Sequence, residues 1–228
     1  MPFFAVFYPN TYRILFSSTF ANRFAGLLSL TVLSGIGFFH CPVVSAAPAP
    51  EAETFVRTHT ENFQARLISD EAVNAKDHAH LLATAQELIL PHFNFAAMSQ
   101  RALGRYWRDC STEQKTRFVT AFRTLLLKTY AGTVNDHRHD KITFLAPRKL
   151  SDNAWRVRTE VIRTDGGKSF LIDYEVHREP ETWRVYDVTV EGVSLAVSYR
   201  AGLAKDISAN GIDAVIAQIE GRAAEATR

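Results

Sequence analysis

A change of period near residue 140 constrains this chain more than any other feature. From about Ala52 the apolar residues Phe55, Val56, Phe63 and Leu67 recur at helical spacing. After the polar break "SDEAVNAKD", Leu81, Leu82, Ala85, Leu88 and Ile89 form a second amphipathic stretch, and Pro91, lacking an N–H for the helix ladder, stops it. Asn94 suits the cap of a third helix carrying Phe95, Met98, Leu103, Tyr106 and Trp107. Ser111 with Gln114 makes a capping box, which opens a long fourth helix running to about Gly132.

Beyond that point the pattern alternates. "AWRVRTEVIRT" sets Trp155, Val157, Thr159 and Val161 against Arg156, Arg158 and Glu160, and "SFLIDYEVHR" sets Phe170, Ile172, Tyr174 and Val176 against Asp173, Glu175 and His177. "TDGGK" and "EPET" supply the turns between them and on into "WRVYDVTVEGV", and "KITFLAP" supplies an earlier strand. The expectation is a four-stranded antiparallel meander with one face covered and one wet. A last helix is expected over Leu203–Glu220. Helices, then strands, then a helix, without βαβ alternation, give an α+β domain, with no internal repeat and no second domain.

The N-terminus reads differently. "FAGLLSLTVLSGIGFF" is uncharged and apolar, follows Arg13 and Arg23, and leads to Val44 and Ala46 at the −3 and −1 places of a cleavage site. Residues 1–46 are therefore expected to be a secretory signal peptide, with an unusually long basic region. The apolar run is too short for the roughly 20 residues of a spanning helix. Residues 47–51 are expected to be a disordered lead, 52–220 the folded domain and 221–228 a flexible tail. Arg13 and Arg23 are the only basic residues lost on cleavage, so 24 of the 26 Lys and Arg remain against 24 Asp and Glu. A neutral mature chain argues against bulk nucleic-acid binding, which needs clustered positive charge. Cleavage would also remove Cys41, leaving Cys110 without an intrachain partner.

No set of residues makes a convincing catalytic constellation. "DHAH" (Asp77–His80) and "DHRH" (Asp136–His139) resemble metal signatures, but neither has a second cluster at zinc-site spacing, and polar loop histidines explain them better. Cys110 lies just before a helix start, where a thiolate is favoured, yet no motif ties a histidine to it. Ser194 lies near Glu191 without a G-x-S-x-G elbow. Asp173, Asp187 and Glu191 could pair for acid–base work, but facing solvent or pairing with Arg184 is simpler. What remains is the apolar side of the long helix: Phe118, Phe122, Leu125, Leu126 and Tyr130, widened by Val119 and Leu127. Periodicity alone leaves open whether that side meets a filled core or a cavity.

Three segments carry a resemblance. "FNFAAMSQRALGRYWRDCSTEQKTRFVTAFRTLLLKTYAG", "IDYEVHREPETWRVYDVTVEGVSLAVSYRAGL" and the "NGIDAVIAQI" ending are similar to the MlaC family of soluble periplasmic phospholipid-binding proteins, over roughly Glu51 to Glu220. The family usually has Asp where this chain has Asn94, and a neutral cap does the same hydrogen-bonding work. The resemblance implies a curved sheet with helices packed on it and a lipid-binding cavity between. It implies a shuttle carrying phospholipid between an outer-membrane lipoprotein complex and an inner-membrane ABC transporter complex with its lipid-binding substrate domain. It implies no catalysis and no cofactor beyond the lipid cargo; a related branch suggests a hopanoid as alternative cargo.

On that reading the helical wall of the cavity is expected at Met98, Leu103, Phe118, Phe122, Leu126 and Tyr130. The sheet wall is expected at Val157, Val161, Phe170, Ile172, Tyr174, Val188 and Val190. Val193, Leu195 and Val197, alternating where the last strand leaves the sheet, are expected to form the rim. Arg200 is expected at the mouth as a headgroup or partner contact, with a structural ion pair as the alternative. Trp107 and Trp183 are expected in the core.

Overall fold

A computed structural model describes residues 51–70 and 77–225, so the expected signal peptide, most of the lead and the last three residues lie outside it. Helix α1 spans Glu51–Ser69, so Glu51 is already helical rather than part of a lead. Helix α2 spans His78–Leu88, its first turn capped by Asp77, which accepts the His80 N–H at 3.0 Å. Pro91 then forces a 3₁₀ turn, Leu90–His92. Helix α3 spans Phe95–Leu103, with Asn94 accepting the Ala97 N–H at 2.9 Å. A short α4, Tyr106–Asp109, leads to α5, Thr112–Asp136, where both bonds of the Ser111–Gln114 capping box form. The long helix ends beyond the expected Gly132.

The strands form the expected meander. β1 (Lys141–Ser151), β2 (Ala154–Ile162), β3 (Phe170–Arg178) and β4 (Trp183–Val190) pair antiparallel in chain order. A fifth strand, β5, adds only Val193–Ser194. The alternation read from Val193 to Val197 is not a strand: Ser194 caps a helical turn α6, Leu195–Ser198, by accepting the Val197 N–H at 3.0 Å. The single last helix expected over Leu203–Glu220 is two, α7 (Arg200–Asn210) and α8 (Ile212–Glu225). They break at Gly211, whose φ of 79° is open to glycine at little cost. Helix α8 continues into the segment expected to be a tail.

A bulge sets the polar face of the sheet. Val185 faces Val176 and Asp187 faces Glu175, leaving Tyr186 as the extra residue, so Tyr186 and Asp187 both turn to the side away from Val185 and Val188. Asp187 is fully buried there. It pairs with Arg101 of α3 (Nε–Oδ2 3.1 Å) and accepts from the Ser194 hydroxyl at 2.5 Å and the Val188 N–H at 2.9 Å. Arg101 also reaches Glu175 at 3.1 Å, and Glu175 pairs with Arg156. The simpler pairing expected of Asp187, with Arg184, does not occur: Arg184 lies 3.4 Å from Glu179. The free edge of β4 is covered by Phe93 and Asn94, whose N–H donates to the Val185 carbonyl at 2.8 Å.

Arg200 closes the same junction from the other side. Its Nε and Nη2 donate to the Arg101 carbonyl at 2.9 and 2.6 Å, while the residue itself stays exposed. Its side chain lies over Gly104, where φ is 57° and a Cβ would come within 3.3 Å of it. Replacing Asp187 by Ala leaves the Arg101 guanidinium with Glu175 alone and takes the acceptor from the Ser194 hydroxyl and the Val188 N–H in a buried setting. Urea unfolding is expected to show a loss of about 3 kcal/mol, and a loss under about 1 kcal/mol would contradict this role.

Candidate functional site

The apolar side chains do not merge into one core. A bundle cluster joins α3, α5, α7 and α8 through Met98, Leu103, Phe118, Phe122, Leu126, Leu203, Ile207, Val215, Ile216 and Ile219. A sheet cluster joins α1 to the sheet through Ala52, Val56, Val157, Val176, Val185 and Val188. A third, smaller cluster joins α1, α2 and α5 through Leu67, Leu81 and Ala131. A domain of this size ordinarily has one contiguous core with satellites. Here Phe93 packs against both the bundle and the sheet clusters.

The contacts settle what the periodicity left open. The apolar stripe of the long helix does not cover the sheet: α8 is its main partner, followed by α2 and α3. Phe118 and Phe122 are fully buried and stack at 5.5 Å within the bundle. Met98, Leu103 and Leu126 are buried with them, while Tyr130 stays half-buried at the bundle's rim, its hydroxyl bonded to Tyr199. On the sheet, Val157, Val161 and Val188 are buried, but Phe170, Ile172, Tyr174 and Val190 are only half-buried although they belong to the apolar face. Val193 and Val197 are exposed, and Leu195 is half-buried against the sheet cluster. Trp107 and Trp183 are half-buried, packed against the bundle and sheet clusters respectively.

The element that spans the separated clusters is α1, for which the sequence suggested no role. Its first half lies on the sheet through Ala52 and Val56, and its second half reaches α2 and α5 through Phe63 and Leu67. Gln64 anchors that second half by donating to the Arg138 and Asp140 carbonyls at 3.0 and 2.7 Å. Phe55, His59 and Phe63, spaced by four, are half-buried on one stripe of α1. Thr60 bonds the Tyr174 hydroxyl, and burial pushes that phenol up to about 12. Tyr174 is thus tied to α1 while it stays half-buried on the sheet face. That face is bordered by Phe55 of α1, Phe93 after the 3₁₀ turn and Leu195 of α6, which belong with Ile172, Tyr174 and Val190 to the sheet cluster. The 3₁₀ turn also lines an open cleft of about 410 Å³, together with Phe93, Phe95, Val119, Arg123 and Arg184 among others.

The groups weighed for chemistry have structural partners. Ser194 is tied to Asp187 and the α6 cap. Cys110 is buried, donates to the Tyr106 carbonyl, and burial pushes its thiol up, away from a reactive thiolate. In "DHAH", Asp77 caps α2 and His80 meets Asp70 at 2.8 Å; in "DHRH", His137 meets Asp140 at 2.7 Å. Among the described residues no three His, Cys, Asp or Glu side chains gather as a metal site would require, and no helix is long and apolar enough to cross a membrane.

The difference between the packed bundle and the half-buried sheet face is measurable. Phe122→Ala is expected to lower the unfolding free energy by about 3–5 kcal/mol, the cost of a cavity in a filled core. Ile172→Ala, on the half-buried sheet face, is expected to cost under about 1.5 kcal/mol. Equal losses would mean that both sites are filled.

Three comparisons bear on this arrangement. A profile of the MlaC protein family matches residues 57–221. The chain is 25% identical over 167 residues to the intermembrane phospholipid transport system binding protein MlaC of Haemophilus influenzae, covering 70% of this chain and 78% of that protein. It also resembles the solved structure of a phospholipid-binding protein of Ralstonia solanacearum in complex with a phospholipid, with a TM-score of 0.71 and 26% identity over 78% of this chain and 99% of the other. With the family profile spanning most of its length, the chain belongs to the MlaC family.

Proposed function

We propose that the mature chain is a periplasmic phospholipid shuttle, and that the acyl chains of its cargo lie in a gap between α1, the apolar face of β3 and β4, and the Tyr130 region of α5. The observation that carries this reading is the half-buried state of Phe170, Ile172, Tyr174 and Val190 on a sheet face that the long helix does not cover. The phospholipid-bound Ralstonia relative and the transport role named for the Haemophilus relative support it. They lend no support to a hopanoid cargo.

Burial energetics suit a carrier. Each buried methylene contributes about 0.8 kcal/mol, so one sixteen-carbon chain gains on the order of 12 kcal/mol over water. Water cannot compete for such a cargo, but a membrane or another apolar cavity can. The reading therefore calls for docking partners: an outer-membrane lipoprotein complex on one side and an inner-membrane ABC transporter complex, with its lipid-binding substrate domain, on the other. It asks nothing of a catalytic group. Residues 1–46 serve as the export signal and 52–220 as the lipid-binding domain.

Within the expected walls the roles divide. Tyr130, Phe170, Ile172, Tyr174, Val190 and Leu195 contact lipid. Met98, Leu103, Phe118, Phe122, Leu126, Val157, Val161 and Val188 hold the walls in place from behind, and the exposed Val193 and Val197 stand at the rim. The cations offered to the phosphate or to a partner are the exposed Arg200, which also holds the Arg101 carbonyl, and Arg123 at the open cleft.

The test is extraction of the mature, exported protein with chloroform and methanol followed by mass spectrometry. A diacyl phospholipid is expected at close to one per chain. Ile172→Trp, which fills the gap, is expected to cut that content at least about fivefold while the fold persists. Protein free of lipid, or polycyclic lipid masses, would overturn the proposal.

A further inference from the structure

His59 and His92 form a stacked pair at the corner of the gap. Their ring centroids lie 3.4 Å apart with 26° between planes, and Phe55 meets both rings edge-on at 4.7 and 5.8 Å. His59 belongs to α1, and His92 ends the 3₁₀ turn whose next residue, Phe93, is fixed to β4. The stack therefore ties the helix that covers the gap to the edge of the sheet beside it. Two neutral imidazoles stack favourably; two imidazolium rings at that distance repel.

The surroundings give little relief to a second charge. From β4, Arg184 faces His92. The acid paired with Arg184, Glu179, also bonds His177 and Asn94. On α1 itself, Arg57 is taken up by Glu53 and Glu61. Extending the proposed carrier reading, we infer that the His59–His92 stack is an acid-sensitive latch, which holds α1 over the lipid gap at neutral pH and releases it in acid.

The sign follows from the titration. Burial lowers His59 below the ordinary 6.5, and burial with the charges of His59 and Arg184 lowers His92 to about 4. The closed pair is thus neutral at pH 7. An opened pair, with ordinary values, takes up protons first. Opening is favoured progressively as pH falls from about 6.5, and the gain is complete below about 4.

Hydrogen exchange of the mature protein tests this without reference to lipid. Between pH 7 and 4.5, protection factors of the α1 amides are expected to fall about fiftyfold through His92 alone, while β2 and β3 stay protected. His92→Phe, which keeps a stacking ring, and His92→Gln, which keeps a neutral polar group, are both expected to abolish that fall. An equal fall in the variants, or parallel loss across β2 and β3, would overturn the latch. Release of a pyrene-labelled phosphatidylglycerol to acceptor vesicles is expected to speed up over the same window in the unmodified protein only. Unchanged release with an opened α1 would overturn the link to cargo. Failure to take up the probe at pH 7 would instead overturn the carrier reading, with the exchange result still deciding the latch.

Discussion

The long helix α5 buries its apolar stripe against other helices, and the rest of the molecule is arranged around that fact. Because Phe118, Phe122 and Leu126 are satisfied by α7 and α8, the apolar face of the meander must find another cover. Helix α1 supplies part of it, through Ala52 and Val56, and leaves Phe170, Ile172, Tyr174 and Val190 half-buried. An apolar face left in that state costs free energy in water, which a hydrocarbon chain would recover.

Holding two packed bodies beside a gap requires rigid fastening elsewhere. That fastening is polar. Arg101 reaches from α3 to Asp187 and Glu175 on the sheet, and its own carbonyl receives Arg200 from the start of α7. The bulge at Tyr186 turns Asp187 toward Arg101, and Gly104 leaves room for the Arg200 side chain. Removing one member would leave another charged or hydrogen-bonding group stranded in a buried setting, so these contacts fix geometry more than they add net stability. Loosely built, the two bodies would slide together and close the space between them.

Much of the fold was legible in the sequence. The change of period gave the helices and the meander, Pro91 and the capping box gave their boundaries, and the wording of the long helix and of β4 gave the family. The site was less legible. A stripe such as that of α5 specifies burial but not the partner, so its attachment to α7 and α8 could not be told from attachment to the sheet. The bond from Arg200 to the Arg101 carbonyl was not legible, because a backbone acceptor leaves no mark in sequence. Phe55, His59 and Phe63 did carry a signal, an aromatic stripe spaced by four, but it reads the same for a lid as for an ordinary packed helix. The split of the last helix was visible in advance as Gly211 after Asn210.

The claim that cargo lies against the apolar face of the meander can be tested at single positions. A photo-crosslinking benzoyl-phenylalanine placed at position 172, on that face, and at position 158, on the opposite face, would report on bound radiolabelled phospholipid in the intact mature protein. The account predicts a lipid adduct at 172 and none at 158. No adduct at 172, or equal labelling at both, would contradict it.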